Sequence, residues 1–420
     1  MHKEELKSII ADQLNRQNIP ERAIYREKFA ELKKMAETPF ILCVSGLRRS
    51  GKSTILHQLV SERKAPVYHL NFDDDRLIHF TVDDFQPLNE SFHELFGSDG
   101  DYYFDEIQVI NGWERYVRRL YDEGKKVFIT GSNASLLSSE LGTHLTGRNI
   151  QLELYPFSFK EYLEYKEIKI TPVSLYQTET KAVIQNQLKT YIDDGGIPEY
   201  IRTQERYYLH SLYENIIYRD IINRYSIKKE KLLKELVHYL ISNLGKEFSY
   251  NSLKKVVSLS NAETVKEYIG YLNNSYMLQT LNRFDYSLKR QIQAPKKIYA
   301  IDTALGQSVS FSYSENLGRK IENIVFLQLK RQGHEIYYHH IDKECDFVIS
   351  DRGNITNAFQ VTVSLDDPKT RKREVEGIYD ALLAYNLDEG VIITLHEEDD
   401  IKYHEKRIIV TPLCKWLLSD

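Results

Sequence analysis

Eight residues near the amino terminus, GLRRSGKS at 46–53, match the pattern G-x-x-x-x-G-K-[ST] in full. They lie between a short apolar run, ILCVS at 41–45, and a segment whose apolar residues have helical spacing. In this setting the backbone N–H groups of a glycine-rich loop surround phosphate oxygens, and the amino end of the helix adds partial positive charge. The pattern therefore predicts a phosphate-binding loop.

Each residue of this loop has its own expected role. Lys52 reaches the β- and γ-phosphates of a bound nucleotide, Ser53 ligates Mg²⁺ through its hydroxyl group, and Thr54 lies near the α-phosphate. The remaining phosphate contacts come from Gly46, Arg49, Ser50 and Gly51.

Two carboxylates end a second apolar run, YYFDE at 102–106, some 50 residues after the loop. Asp105 is expected to hold the metal ion, directly or through water, and Glu106 to polarise the attacking water. An Asp-Glu pair at a strand end is by itself an ordinary solvated feature. Its position downstream of a phosphate-binding loop favours the catalytic role.

Polar residues follow the next strand in TGSNAS at 130–135. Asn133 or Ser132 is expected to hydrogen-bond the γ-phosphate or its water, although a plain polar turn has the same composition. Arg148, in LTGR at 145–148, is a candidate arginine finger that acts in a neighbouring subunit. The alternative is a surface arginine that pairs with a carboxylate.

The elements that must position these residues alternate along the first part of the chain. Apolar runs at 41–45, 65–72, 102–106 and 126–132 predict strands, and a fifth strand precedes Pro156. Helical patterns separate them, so the fold class is α/β, with a parallel sheet covered by helices on both faces.

The remainder of the chain changes character twice. Residues 175–242 have mostly helical spacing, and three helices with two strand-like runs then predict a winged helix up to residue 302. Residues 315–413 predict a last, small α/β unit in which helices alternate with about five strands.

Composition sets the broad class. The 420 residues are 42% hydrophobic and 28% charged, which indicates a folded chain of two or three domains. No apolar run approaches 18 residues and no secretory apolar segment begins the chain, so we expect no membrane partner. Three widely spaced cysteines indicate no disulfide framework and favour the cytoplasm.

Seven motifs in order make the chain resemble the prokaryotic AAA+-type ATPases, in particular the branch whose C-terminal half is a domain of unknown function with a restriction-endonuclease-like core. The motifs are GLRRSGKSTIL, NFDDDRL (71–77), YYFDEIQ (102–108), FITGSNASLL (128–137), LTGR (145–148), LELYPFSFKEYL (152–163) and GGIPEY (195–200). The resemblance implies ATP and Mg²⁺ as cofactors and nucleotide-dependent self-association as a ring or dimer.

The resemblance also implies four domains. They are an AAA+-type P-loop ATPase core with N-terminal helices (1–165), a helical lid or linker (166–230), a winged-helix-like domain (231–305) and a restriction-endonuclease-like α/β domain (306–420).

Nuclease-like cores of this kind place an acid on a first helix, an Asp at a strand end and an acidic-x-Lys pair on the next strand. Glu322 and Asp346 fit the first two places, but the third reads Gln360-Val-Thr362. Gln360 retains an amide oxygen for a metal, whereas Thr362 cannot replace the charge of a lysine. Lys369 or Lys372 could reach in from the following helix, but a nuclease-like domain that has lost cleavage is the favoured interpretation.

A basic segment is the chain's one pointer to nucleic acid. Residues 217–297 contain fifteen basic and seven acidic residues, a net charge of +8 in a chain of net charge −5. The wing is expected to expose basic residues to DNA phosphates, and a winged helix that only packs against protein is the equal alternative. The expected wing residues are Arg283, Lys289, Arg290, Lys296 and Lys297.

Three functions follow from these patterns. The first is an ATPase whose turnover changes the shape of an assembly acting on DNA or a protein. The second is an ATP-gated DNA nuclease, and the third is a slow nucleotide switch, against which Glu106 argues. The sequence contains no N-K-x-D motif, which is typical of guanine recognition, and this absence is the only sign against a preference for guanine nucleotides.

Overall fold

The computed structural model describes residues 1–15, 23–134, 145–171, 173–259, 261–310 and 316–419. The chain divides into two compact units. The first comprises residues Met1–Tyr155 with Asn274–Tyr276, and the second comprises Pro156–Asn273 with Met277–Asp420.

The first unit is built on a five-stranded parallel sheet, as the sequence predicts. Its strands have the spatial order β2-β3-β4-β1-β5. The strands are β1 (Ile41–Ser45), β2 (Val67–Asn71), β3 (Asp101–Asp105), β4 (Val127–Gly131) and β5 (Asn149–Glu153). Successive residues of a strand join different cores, since Cys43 packs in one cluster and Leu42 and Val44 in the other. Helices therefore cover both faces, which explains why these strands read as continuous apolar runs.

The described residues of this unit form five α-helices. They are α1 (Lys3–Asn15), α2 (Phe29–Ala36), α3 (Lys52–Ser61), α4 (Phe85–Phe96) and α5 (Trp113–Asp122). Helix α4 was not predicted from the sequence, because its pattern contains Pro87. The proline lies in the first turn, where its missing N–H has no intrahelical partner to lose, so the helix forms around it.

The second unit begins with helices. In order they are α6 (Phe159–Tyr165), α7 (Thr178–Asp194), α8 (Pro198–Thr203), α9 (Arg206–Asn215), a wide π-helical turn (Ile216–Asn223), α10 (Glu230–Ser242), α11 (Tyr250–Val256) and α12 (Ala262–Asn274).

A strand pair follows these helices. Strands β6 (Leu278–Asn282) and β7 (Lys296–Ala300) are antiparallel, and Phe248 between α10 and α11 forms a single bridge to Lys296. The predicted basic hairpin is not an open loop, because α13 (Leu288–Gln293) lies between the two strands. Helix α14 (Thr303–Val309) comes next.

The GGIPEY motif ties α14 to the start of this unit. Asp302 caps α14 through the N–H groups of Ala304 and Leu305, and its other oxygen accepts a 2.6 Å hydrogen bond from the N–H of Gly196. A Cβ atom on Gly196 would lie 2.3 Å from the carbonyl oxygen of Phe157, so this position requires glycine.

The chain ends in a mixed sheet of six strands with the order β12-β13-β11-β10-β9-β8. The strands are β8 (Glu335–His340), β9 (Glu344–Asp351), β10 (Asn354–Val361), β11 (Glu389–Thr394), β12 (Asp399–Tyr403) and β13 (Lys406–Pro412). Helices α15 (Leu317–Arg331), α16 (Pro368–Ala384) and α17 (Leu413–Leu418) accompany it. The sequence analysis missed β12, a polar edge strand with little apolar alternation.

Helix α15 is bonded to strand β7. The side chain of Asn323 donates to the carbonyl oxygen of Ala300 and accepts from its N–H, both at 2.8 Å. The rings of Tyr299 and Phe326 stack with their centroids 4.3 Å apart. Within the described ranges, no helix is long and apolar enough to cross a membrane.

Candidate nucleotide-binding site

The phosphate-binding loop joins the carboxyl end of β1 to the amino end of α3. A Cβ atom on Gly46 would lie 2.1 Å from the carbonyl oxygen of Leu154, while the N–H of Leu154 donates to Ser45 at 2.7 Å. The backbone after β5 thus passes so close to the loop that only glycine fits at its first position.

Lys52 is the first residue of α3 and points back into the curve of the loop. Its ammonium group donates to the carbonyl oxygens of Gly46 at 3.2 Å and Leu47 at 3.0 Å. Ser53 and Thr54 follow in the first turn of the helix and are half-buried. The ammonium group and the start of the helix therefore face the same small volume, as phosphate binding requires.

The middle of the loop is braced from outside by a residue that the sequence analysis did not select. Arg26 is 7% exposed, and it donates to the carbonyl oxygens of Ser50 at 2.8 Å and Tyr155 at 2.7 Å. Arg49 has a left-handed backbone with φ of 67°, and Gly51 follows it at the start of α3. No spacing signal distinguishes Arg26 among the polar residues near it.

Asp105 ends β3, next to β4 in the sheet. Its carboxylate is 8% exposed and accepts a hydrogen bond from the hydroxyl group of Thr130 on β4. Thr130 was part of a quoted motif but was given no role. Its hydroxyl group fixes the orientation of the carboxylate that is predicted to hold the metal.

Glu106 follows in a left-handed conformation with φ of 53°. Its Oε2 atom accepts hydrogen bonds from the hydroxyl group of Ser132 at 3.0 Å and from the side-chain amide of Gln108. Asn133 is fully buried just after β4. Because β4 lies between β3 and β1, these residues stand at the same sheet edge as the loop. Residues 135–137 of this motif lie outside the described residues.

Two imidazole rings lie close to Asp105. Those of His57 on α3 and His69 on β2 have centroids 5.7 Å apart. Burial lowers the pKa of both rings, that of His69 to about 4, although the charge of Asp105 opposes the shift. Both rings are therefore neutral near pH 7 and leave the charge of Asp105 for a metal ion.

The structure does not bring Arg148 to this edge. The residue directly precedes β5, and its carbonyl oxygen accepts from the N–H of Ile41 at the start of β1. It therefore lies at the amino edge of the sheet, a strand length from the loop of its own chain. Its guanidinium group lies 3.5 Å from Asp122 and is one-third exposed.

This sheet edge thus combines a loop with an inward ammonium group, a buried carboxylate fixed by a hydroxyl group and a second carboxylate held nearby. That set can bind a phosphate chain and activate water beside it. Residues 38–163 match the AAA domain family, and residues 185–316 match a domain of unknown function (DUF8612).

A relative in Methanocaldococcus jannaschii, the uncharacterized protein MJ1544, is 33% identical over 399 residues, which cover 90% of this chain and 88% of the relative. The chain belongs to the family of MJ1544. An uncharacterized protein of Haemophilus influenzae is 29% identical over 77% of this chain and 83% of its own length.

One solved structure in the comparison is the Walker-type ATPase paby2304 of Pyrococcus abyssi. It aligns with a TM-score of 0.43 at 14% identity, and the alignment covers 69% of this chain and 97% of that chain. The AAA match coincides with the parallel sheet and its loop, so this MJ1544-family chain contains an AAA-type P-loop domain.

The second cluster of predicted site residues lies in the other unit of this MJ1544-family chain, and it corrects one expectation. Lys297, predicted on an exposed wing, has a side chain only 1% exposed. Its Nζ atom lies 3.1 Å from Asp346, 3.5 Å from Glu322 and 2.5 Å from Glu344. We call these four residues the Lys297 cluster. The lysine faces inward because the carboxylates offset the cost of burying its charge.

Other expectations for this region also change. Lys296 is buried as well and donates to the carbonyl oxygen of Ile292. Lys372 pairs with Glu376 on its own helix at 3.7 Å, and Lys369 is exposed, so neither reaches the cluster.

Charges within the cluster are strongly coupled. Burial lowers the pKa of Lys297, but Tyr299 and the three carboxylates raise it by more, so the pKa lies well above its usual value. Burial and the charge of Asp346 raise the pKa of Glu322, and the ammonium group of Lys297 opposes that shift.

Gln360 touches the cluster through its amide group. Its oxygen accepts from the N–H of Asp346 at 3.1 Å, and its nitrogen donates to Glu374 at 2.6 Å. The structure thus does bring together the three predicted residues of the nuclease-like core, Glu322, Asp346 and Gln360.

Proposed function

We propose that the chain binds and hydrolyses ATP and couples turnover to a change of shape in an assembly. The observation that carries this proposal is the placement of Lys52, Asp105 and Glu106 at one edge of the parallel sheet. The AAA domain match over residues 38–163 supports it.

The residues at this edge divide the work. Lys52 exchanges its carbonyl partners for the β- and γ-phosphates, and the loop N–H groups bind the phosphate oxygens. Ser53 and Asp105 provide hard oxygen ligands of the kind that Mg²⁺ prefers, so the residues present fit that ion. When bound, the ion neutralises charge on the phosphate oxygens.

Glu106 is the residue that orients and polarises the attacking water. In the structure its Oε2 atom accepts from Ser132 and from Gln108, and these two bonds orient the carboxylate. Asn133 lies next to Ser132 and is the candidate contact to the γ-phosphate. A slow switch would need no such carboxylate, which favours turnover.

The test is steady-state ATP hydrolysis by two variants with a control. We expect Lys52→Ala to abolish measurable turnover and Glu106→Gln to lower kcat by about 10²–10⁴-fold while it still binds ATP. Glu123→Gln, at the exposed end of α5, is the matched control and should keep the wild-type rate. Full turnover by Glu106→Gln would show that the assignment of this residue is wrong.

We propose in addition that residues 231–305 form a winged-helix-like domain. Three helices, the β6–β7 pair and the bridge from Phe248 to Lys296 support this. The burial of Lys296 and Lys297 removes two of five expected phosphate contacts, whereas Lys289 and Arg290 remain exposed.

ATP hydrolysis measured at low salt with and without duplex DNA tests whether the chain acts on DNA or on a protein. A rate raised several-fold by DNA, and not in Lys289→Ala/Arg290→Ala, would support DNA contact through this segment. A rate indifferent to DNA would favour a protein target or self-assembly.

A further inference from the structure

The Lys297 cluster has the composition of a cation site. Carboxylates from α15, from the start of β9 and from the interior of β9 converge on one point, and converging carboxylates are the usual ligands of Mg²⁺ or Mn²⁺. At that point lies the ammonium group of Lys297, within 3.5 Å of all three side chains.

We propose that the ammonium group of Lys297 occupies the cation position of Glu322, Glu344 and Asp346, so that the cluster is held by an internal cation and binds no divalent metal. The proposal concerns the second unit alone and does not depend on ATP hydrolysis.

Two of the three carboxylates already accept hydrogen bonds from groups other than Lys297. In Asp346, Oδ1 faces Lys297 and Oδ2 accepts from the N–H of Val361 at 3.0 Å. In Glu322, Oε1 accepts from the hydroxyl group of Tyr299 at 2.7 Å. These bonds hold the two carboxylates toward Lys297, so a metal ion would have to displace the ammonium group from them.

The Lys297 cluster is largely closed to solvent. The side chains of Lys297, Asp346 and Glu322 are 1%, 8% and 15% exposed, whereas Glu344 is 41% exposed and remains solvated. Backbone packs against Glu322, because a Cβ atom on Gly245 would lie 2.9 Å from both of its oxygens. While the ammonium group is present, a cation that keeps several waters, as Mg²⁺ does, does not fit beside it.

Lys297 is held in place independently of its charge. Its strand is fixed to α15 by the two hydrogen bonds between Asn323 and Ala300 and by the stacking of Tyr299 on Phe326. Glu322 lies beside Asn323 on the same helix, so the ammonium group is delivered to the carboxylates by the packing of β7 against α15.

A titration of the nucleotide-free full chain with Mn²⁺ tests whether the cluster binds a divalent metal. Bound Mn²⁺ is measured as the loss of the electron paramagnetic resonance signal of the free ion. We expect Lys297→Met to bind about one more Mn²⁺ per chain than wild type. Lys320→Met is the matched control, since Lys320 is also buried on α15 but pairs with Asp193. That control should bind no more Mn²⁺ than wild type.

Two results would overturn the proposal. One is a folded Lys297→Met protein that binds no more Mn²⁺ than the Lys320→Met control. The other is Mn²⁺ binding by the wild type, or Mg²⁺-dependent plasmid cleavage, that Asp346→Asn abolishes. The comparison of wild type with Asp346→Asn tests the proposal even if Lys297→Met does not fold, because both of these proteins contain Lys297. We expect Asp346→Asn to bind as much Mn²⁺ as the wild type.

Discussion

At the scale of single residues, the nucleotide site depends on hydroxyl groups that carry no charge themselves. Thr130 holds the carboxylate of Asp105, and its Oγ1 atom also lies 3.4 Å from the N–H of Glu106. One side chain thus sets the position of both acidic residues. Residues that orient a metal ligand commonly contribute to metal affinity and activity almost as much as the ligand itself.

Replacing Thr130 by valine keeps the shape and removes the hydroxyl group. We expect kcat to fall by about 10–100-fold at limiting Mg²⁺ and the Mg²⁺ concentration for half-maximal ATP hydrolysis to rise, because Asp105 loses its orientation. Thr130→Ser is the control and should restore the wild-type Mg²⁺ dependence. An unchanged Mg²⁺ curve for the folded valine variant would argue that Thr130 is only a packing residue.

Residue roles were predictable from the sequence where they are local. The loop at 46–53 and the pair Asp105-Glu106 are contiguous, and their position at a strand end follows from the apolar runs before them. Lys297 was assigned to a solvent-exposed wing because its partners lie 25 to 49 residues away, on another helix and another sheet. No periodicity in a single sequence encodes that pairing. Arg26 was not predicted for the same reason, since it donates to backbone carbonyl oxygens of residues far from it in the sequence.

At the scale of elements, one buried cap joins α14 to the GGIPEY segment. Burial raises the pKa of Asp302 from 3.8 to about 6, although three backbone N–H groups oppose this. The folded state therefore retains a proton that the unfolded chain releases. The contribution of this group to stability is fully present below pH 3.8 and is lost as the pH rises through 6.

Asp302→Asn removes this titration. Relative to the variant, the wild type should lose stability between pH 4 and pH 6, by about 3 kcal/mol at most, and the difference should be constant above that range. Tm measured from pH 4 to pH 8 for both proteins checks the window. The lost bond from the N–H of Gly196 adds a pH-independent offset, so only the change of the difference with pH is diagnostic. A constant difference from pH 4 to pH 8 would contradict the raised pKa.

Elements were predicted well where pattern and length agreed. The parallel strands were each identified, since burial on both faces requires apolar runs. Helix α13 was hidden inside the predicted hairpin because its apolar residues Leu288 and Ile292, and Tyr286 just before it, are exposed and give no core-facing stripe. The edge strand β12 was missed because three of its five residues are charged.

At the scale of the whole molecule, the predicted arginine finger, Arg148, bears on whether turnover requires one chain or an assembly. It lies at the sheet edge opposite the phosphate-binding loop and cannot serve its own site. We expect Arg148→Ala to reduce turnover on the order of 10³-fold, because arginine fingers contribute on that scale to phosphoryl transfer. Arg118→Ala is the control, since Arg118 contacts the same Asp122 at 3.7 Å.

A mixing experiment tests whether the finger acts between subunits. Arg148→Ala chains keep an intact loop, and Lys52→Ala chains keep an intact Arg148. Equal amounts of the two inactive variants should therefore recover activity above either alone. Full activity of Arg148→Ala by itself would remove the residue from the mechanism.

The bonds between Asn323 and Ala300 also bear on how this chain could be shuffled in evolution. A fusion that transferred only residues 306–420 to another protein would carry the carboxylates of Glu322 and Asp346 without their counter-charge, and the amide of Asn323 without its backbone partner. A fusion of residues 277–420 would carry both the ammonium group of Lys297 and the backbone of Ala300. We therefore expect the six-stranded sheet to be transferable only together with the strand pair before it, as one module rather than two.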